Sequence, residues 1–64
     1  MELPNRFKNF ENRLVRIVFK DGENTCAKVG RVQSVEGDFL ELQTHHHHYL
    51  IRLDQILKLQ EAGP

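Results

Sequence analysis

From residue 15 to residue 20 the chain keeps a period of two. Val15, Ile17 and Phe19 alternate with Arg16, Val18 and Lys20. That period belongs to a strand with one buried face. It stops at Asp21-Gly22, a pair suited to the positive φ angles of a hairpin turn. The chain is therefore committed early to antiparallel pairing between this strand and its successor. A second strand is expected over residues 25–35, where the alternation slips: Val29 and Val32 are three apart with Gly30 between them. Glycine inside a strand marks a bulge or a sharp bend, so this strand is expected to curl there.

The same reading continues to the C-terminus. Glu36-Gly37-Asp38 is a turn, and residues 39–44 form a third strand with Leu40 and Leu42 on one face. The histidine run His45-His46-His47-His48 is a connection. Residues 49–53 form a fourth strand with Tyr49, Ile51 and Leu53 on one face. Asp54-Gln55 is a short link, and residues 56–60 form a fifth strand. At the other end, Leu3, Phe7, Phe10 and Leu14 fall on one stripe of a 3.6-residue period, with Pro4 in the first turn. A short N-terminal α-helix is expected over about residues 3–12, a barrel over 13–60 and a frayed tail over 61–64. One helix followed by five short strands with a bend in the second describes a mostly β, strongly bent, SH3-like small barrel.

Size limits what such a barrel can do alone. A chain of 64 residues buries only about 60% of its unfolded surface. Its single cysteine, Cys26, cannot close an intrachain disulfide, and no Cys/His quartet suggests structural zinc. Self-association is the expected supplement. Five short strands leave edges, and edges are pairing sites that close into rings when joined head to tail. The chain is too short for a deep cleft with lids, so no enzyme is expected. Ser34 is the only serine, no phosphate-binding glycine loop is present, and no cofactor is implied. No apolar run approaches the ~18 residues that span a membrane. No leader pattern is visible, and a lone unpaired cysteine suits a reducing interior, so a cytoplasmic protein is expected.

Charge is balanced overall, nine basic against nine acidic residues, but it is not spread evenly. Residues 1–20 carry five basic groups and two acidic ones, a net of +3, whereas residues 21–44 carry two and five, a net of −3. One face can therefore be basic while the whole is neutral.

These residues resemble the Sm and Sm-like (LSm, Hfq-like) superfamily from about Leu3 to Gln60. The resemblance rests on residues 15–22 ending in Asp21-Gly22, on Gly30-Arg31-Val32 in the bent strand, and on residues 35–42 around Glu36-Gly37-Asp38. It rests also on residues 51–59, Ile51-Arg52-Leu53-Asp54-Gln55 and the apolar strand after it. Two family positions differ: the glycine after the arginine is Leu53, and Leu40 stands near the place of the usual asparagine. The resemblance implies a homo-oligomeric ring of five to eight subunits, with strand four of one pairing strand five of the next. It implies single-stranded, uridine-rich RNA at the pore. Carried over by position, Asp38, Phe39, Arg52 and Asp54 are the RNA-binding residues. A base would stack between Phe39 and Arg52 while the carboxylates read its edge.

Each of these residues also has a plainer reading. Phe39 can be core, and Arg52 with Asp54 can be a surface ion pair or an interface contact. The whole ring can be a protein-interaction scaffold without nucleic acid. His45, His46, His47 and His48 can be an exposed loop tip, or alternate imidazoles can grip a metal ion weakly. Cys26 is expected to be a small packed side chain.

Overall fold

A computed structural model describes residues 6–63. Among them the chain is mostly β, with two 3-10 turns and no long helix. The strands are β1 (Leu14–Asp21), β2 (Asn24–Glu36), β3 (Phe39–Gln43), β4 (His48–Arg52) and β5 (Ile56–Glu61). They form one antiparallel sheet in the order β4-β3-β2-β1-β5. No helix is long and apolar enough to cross a membrane among the described residues.

The alternation read in the sequence is the alternation of burial. Val15, Ile17 and Phe19 of β1 point inward, as do Leu40 and Leu42 of β3 and Ile51 of β4. Val32 and Val35 of β2 complete a core of eight residues that includes no polar or charged side chain. Tyr49, Leu53, Ile56 and Leu59 pack against it from the margins.

Strand β2 is long because it serves two partners. Asn24 to Arg31 pair with β1, and Arg31 to Glu36 pair with β3. At Gly30, where the partner changes, a Cβ would lie 2.5 Å from the Gln43 carbonyl oxygen. Only glycine lets the end of β3 come that close. The irregularity itself falls later than the sequence suggested. The register shifts between Val32 and Ser34, so Val32 and Val35 both face the core although three residues apart. Val29 simply faces outward and is exposed.

The β1–β2 and β2–β3 hairpins both use glycine at the first position of a two-residue loop. Gly22 has φ 65° between the paired residues Asp21 and Asn24, and Gly37 has φ 58° between Glu36 and Phe39. Glu23 and Asp38 keep negative φ, the pattern of a II′ turn, whose twist matches that of the strands.

The two ends of the chain depart from expectation. The N-terminal α-helix is not present among the described residues; Leu3 and Pro4 lie outside them. Arg6–Phe10 instead forms a 3-10 turn. Phe7 and Phe10 are three apart, which suits three residues per turn, and both lean on the core. Asn12, at φ 67°, then breaks the helical path, and its N–H donates to the Val32 carbonyl at 2.7 Å. Leu14, placed on the helical stripe by its spacing, belongs to β1 and is exposed. At the C-terminus, Glu61 is not frayed: it pairs with Val15 and holds Arg13 at 2.7 Å, and Ala62 N–H donates to the Leu14 carbonyl at 3.0 Å.

Candidate nucleic-acid interface

The sheet register brings the four expected site residues to one place. The Gly37-Asp38 loop ends with Phe39 opposite Glu36 on one side and opposite Arg52 on the other. Residues paired across a ladder present side chains on one face, with Cβ atoms about 4.5–5.5 Å apart. That face is the outer one, because Leu40 and Ile51, the next residues in, take the core. Phe39 is 41% exposed and is therefore not a core aromatic.

Beyond this pair the chain turns sharply through a second 3-10 turn, Leu53–Gln55. The Leu53 N–H donates to the Asp38 carbonyl at 2.8 Å, tying the two turns together. Asp54 comes back alongside Arg52, with Arg52 Nη2 donating to Asp54 Oδ2 at 3.1 Å. Both side chains are more than half exposed, so this pair adds at most about 1 kcal/mol and serves mainly to orient the guanidinium. Gln55 Nε2 makes a long 3.4 Å contact to Asp54 Oδ1. The Asp38 and Glu36 carboxylates are exposed and make no hydrogen bond or ion pair among the described residues. The cluster thus offers an aromatic ring, a planar cation and three carboxylates. Glu36 and Gln55 were not singled out by sequence. The two-residue loop starting at Gly37 would have placed Glu36 opposite Phe39.

A second polar row crosses the same three strands further from the turn. Ser34 Oγ donates to Glu41 Oε1 at 2.9 Å, and His48 Nε2 lies 2.8 Å from Glu41 Oε2. In a hydrolytic triad the imidazole stands between the hydroxyl and the acid. Here the carboxylate stands between, so the imidazole of His48 does not reach Ser34 and the order of a triad is not met.

The histidine run is divided among separate tasks. Residues 44–47 form a tight turn: Thr44 N–H donates to the His47 carbonyl at 2.8 Å, and His47 N–H to Thr44 Oγ1 at 3.1 Å. Gln43 Nε2 adds bonds to the Thr44 and His47 carbonyls at 3.0 and 3.2 Å. His45 and His46 sit at the tip with rings 4.6 Å apart, edge to face. His47 leans toward Tyr49 at 6.0 Å, and His48 turns to Glu41. No group of three or more His, Cys, Asp or Glu side chains is placed to hold a metal ion among the described residues. Cys26 is half-buried against the core opposite Phe19.

The two outer strands leave grooves beside their free edges. A cavity of about 560 Å³ lies between β4 and the β1–β2 hairpin, lined by Phe19, Lys28, Tyr49 and Arg52 among others. Lys28 Nζ sits 5.4 Å above the Tyr49 ring there. A second cavity of about 480 Å³ runs along β5, lined by Phe7, Phe10, Leu57 and Leu59. Each edge strand carries a large exposed apolar residue, Leu50 at 64% on β4 and Leu57 at 58% on β5. Leu57 is turned outward by the register shift between β1 and β5. Comparison with protein-family models, with curated proteins and with solved structures gives no match.

Proposed function

We propose that this protein is an Sm-like ring of five to eight identical subunits that binds single-stranded RNA as a chaperone or regulator of RNA pairing. The observation that carries the reading is the direct pairing of Phe39 with Arg52 on the exposed face, flanked by Asp38 and Asp54. A base can lie against the ring and the guanidinium plane, which stack on any base. Carboxylates beside them can accept from base N–H groups. The subunit is read as a strongly bent small barrel. The Lys28–Tyr49 contact supports this, because β2 and β4 are not neighbours in the sheet.

Assembly supplies what one subunit lacks. The free edges are β4 and β5, each with an exposed leucine and an adjoining groove, and edge strands of this kind pair with another chain. Joining β4 of one copy to β5 of the next is a heterologous contact that closes into a ring when the rotation allows. Repetition sets several Phe39–Arg52 pairs around one pore, so that a single strand can engage more than one of them. The ring is read as a cytoplasmic binding protein, not an enzyme.

A scaffold ring that binds only protein is the second reading, favoured by the three carboxylates that surround the one arginine. The test is the affinity of labelled oligouridylate for native protein and for Arg52→Ala, with the mass of each assembly measured in parallel. Severalfold weaker binding by an intact Arg52→Ala assembly supports the RNA reading. Equal affinity in an intact assembly removes the site assignment.

A further inference from the structure

We infer that the exposed cluster around Phe39 and Arg52 selects guanine over uracil, with the Asp54 carboxylate reading the guanine edge. The inference rests on the reading of this cluster as an RNA site and names the base that the site takes. Ionised carboxylates only accept hydrogen bonds, whereas an amide both donates and accepts. Around Phe39 and Arg52 the chain places three carboxylates, Glu36, Asp38 and Asp54. The neighbouring amide of Gln55 points its Nε2 at Asp54.

Uracil suits an amide. Its edge has one N–H between two carbonyl oxygens, so a carboxylate gains one bond and meets two repulsive neighbours. Adenine and cytosine each put a single amino donor beside a ring-nitrogen acceptor. Guanine alone among the four bases presents two adjacent donors, N1–H and the N2 amino group, on the edge that single-stranded recognition uses. Two parallel donors match the two oxygens of one carboxylate, as in the fork pairing of arginine with an acid.

Asp54 is placed for this. It shares the exposed face with Arg52, and its Oδ2 is oriented by Arg52 Nη2 at 3.1 Å. Its only other hydrogen bond among the described residues is the long one to Gln55 at Oδ1. Each oxygen keeps a free lone pair, since a carboxylate oxygen accepts about two bonds. Held against the Arg52 guanidinium, Asp54 is the carboxylate fixed beside a base that lies on Phe39 and Arg52. Asp38, whose carboxylate has no partner among the described residues and whose carbonyl accepts from Leu53 N–H, supplies a second acceptor beside it.

The experiment measures affinity for a short oligouridylate and for the same strand with one uridine replaced by guanosine, inosine or adenosine. A single substitution keeps guanine quadruplexes out of the comparison. Inosine keeps N1–H and lacks the N2 amino group. Guanosine is expected to tighten binding about fivefold or more over uridine, with inosine losing most of that gain. Asp54→Asn is expected to bring the guanosine-to-uridine ratio close to one, and Asp38→Asn to lower it in part. Both positions are exposed, so neither change disturbs the core. Firm binding in which uridine equals or exceeds guanosine overturns the guanine inference and leaves the RNA reading standing. A preference unchanged in Asp54→Asn overturns the assignment to Asp54. No binding of any strand overturns the RNA reading, and the inference with it.

Discussion

Phe39 and Arg52 are direct partners across the β3–β4 ladder, and both side chains lie on the solvent face of the sheet. A strand end that buries Leu40 and Ile51 leaves its aromatic outside, next to a guanidinium. Stacking a base on an aromatic side chain is worth about 1–3 kcal/mol. Phe39→Ala is therefore expected to weaken oligonucleotide binding about tenfold, and Phe39→Tyr to retain most of it. Circular dichroism should be unchanged in both variants, because Phe39 is outside the core. Equal affinity in Phe39→Ala and native protein would remove the stacking role.

Gly30 is the residue on which the change of partner along β2 depends. Alanine there would drive its Cβ against the Gln43 backbone, which cannot swing aside as a side chain can. Overpacking of this kind destabilises by about 1–3 kcal/mol. For a domain of this size the melting temperature should fall by about 4–8 °C for each kcal/mol. Thermal unfolding of Gly30→Ala checks this, and an unchanged midpoint would mean that β3 approaches less closely than the structure has it.

Leu40 and Leu50 are both leucines of the β3–β4 hairpin, and they are expected to behave oppositely. Leu40 is fully buried, and Leu40→Ala should cost about 2–5 kcal/mol. Total stability for such a chain is only about 3–10 kcal/mol, so this variant should lose roughly half of it and unfold at a much lower temperature or denaturant concentration by circular dichroism. Leu50→Ala should leave the fold of the subunit intact.

The free edges predict a different loss. Leu50→Asp and Leu57→Asp each put an unpaired charge into the proposed β4–β5 contact between copies. Leaving a charge uncompensated at a buried contact costs about 3–5 kcal/mol. Sedimentation should show both variants as smaller species than the native protein at equal concentration. A native mass equal to that of one chain, or variants of unchanged mass, would contradict the assembly.

Much of the fold was legible because the inner face of three strands, β1, β3 and β4, keeps strict alternation. Val15, Ile17, Phe19, Leu40, Leu42 and Ile51 are readable without a structure. The middle of β2 was not, because a one-residue bulge moves Val35 onto the same face as Val32, and apolar spacing alone does not say where an extra residue sits. The N-terminal segment misled for a related reason. Phe7 and Phe10, three apart, satisfy a 3-10 turn as well as an α-helix, and only the positive φ of Asn12 shows that the helix cannot continue. Glu61 read as tail because a polar residue on an edge strand looks like a loop; its partner Arg13 is 48 residues away. The site residues came from the resemblance, and the resemblance did not say that Phe39 and Arg52 would be register partners. The outward face of Phe39 was implicit in the alternation, since Leu40 and Leu42 take the inner face of the strand.

The most direct measurement is fluorescence anisotropy of labelled oligouridylate, guanosine-containing oligouridylate and oligoadenylate against the native protein at low and high salt. An RNA-binding ring predicts saturable binding at low salt that weakens as salt rises, since phosphate contacts release counterions. The carboxylate cluster predicts further that the guanosine-containing strand binds tightest. Absence of binding to every strand at low salt, by a protein shown to be assembled, would contradict the RNA reading. The exposed cluster at Phe39 and Arg52 would then have to be a surface for protein.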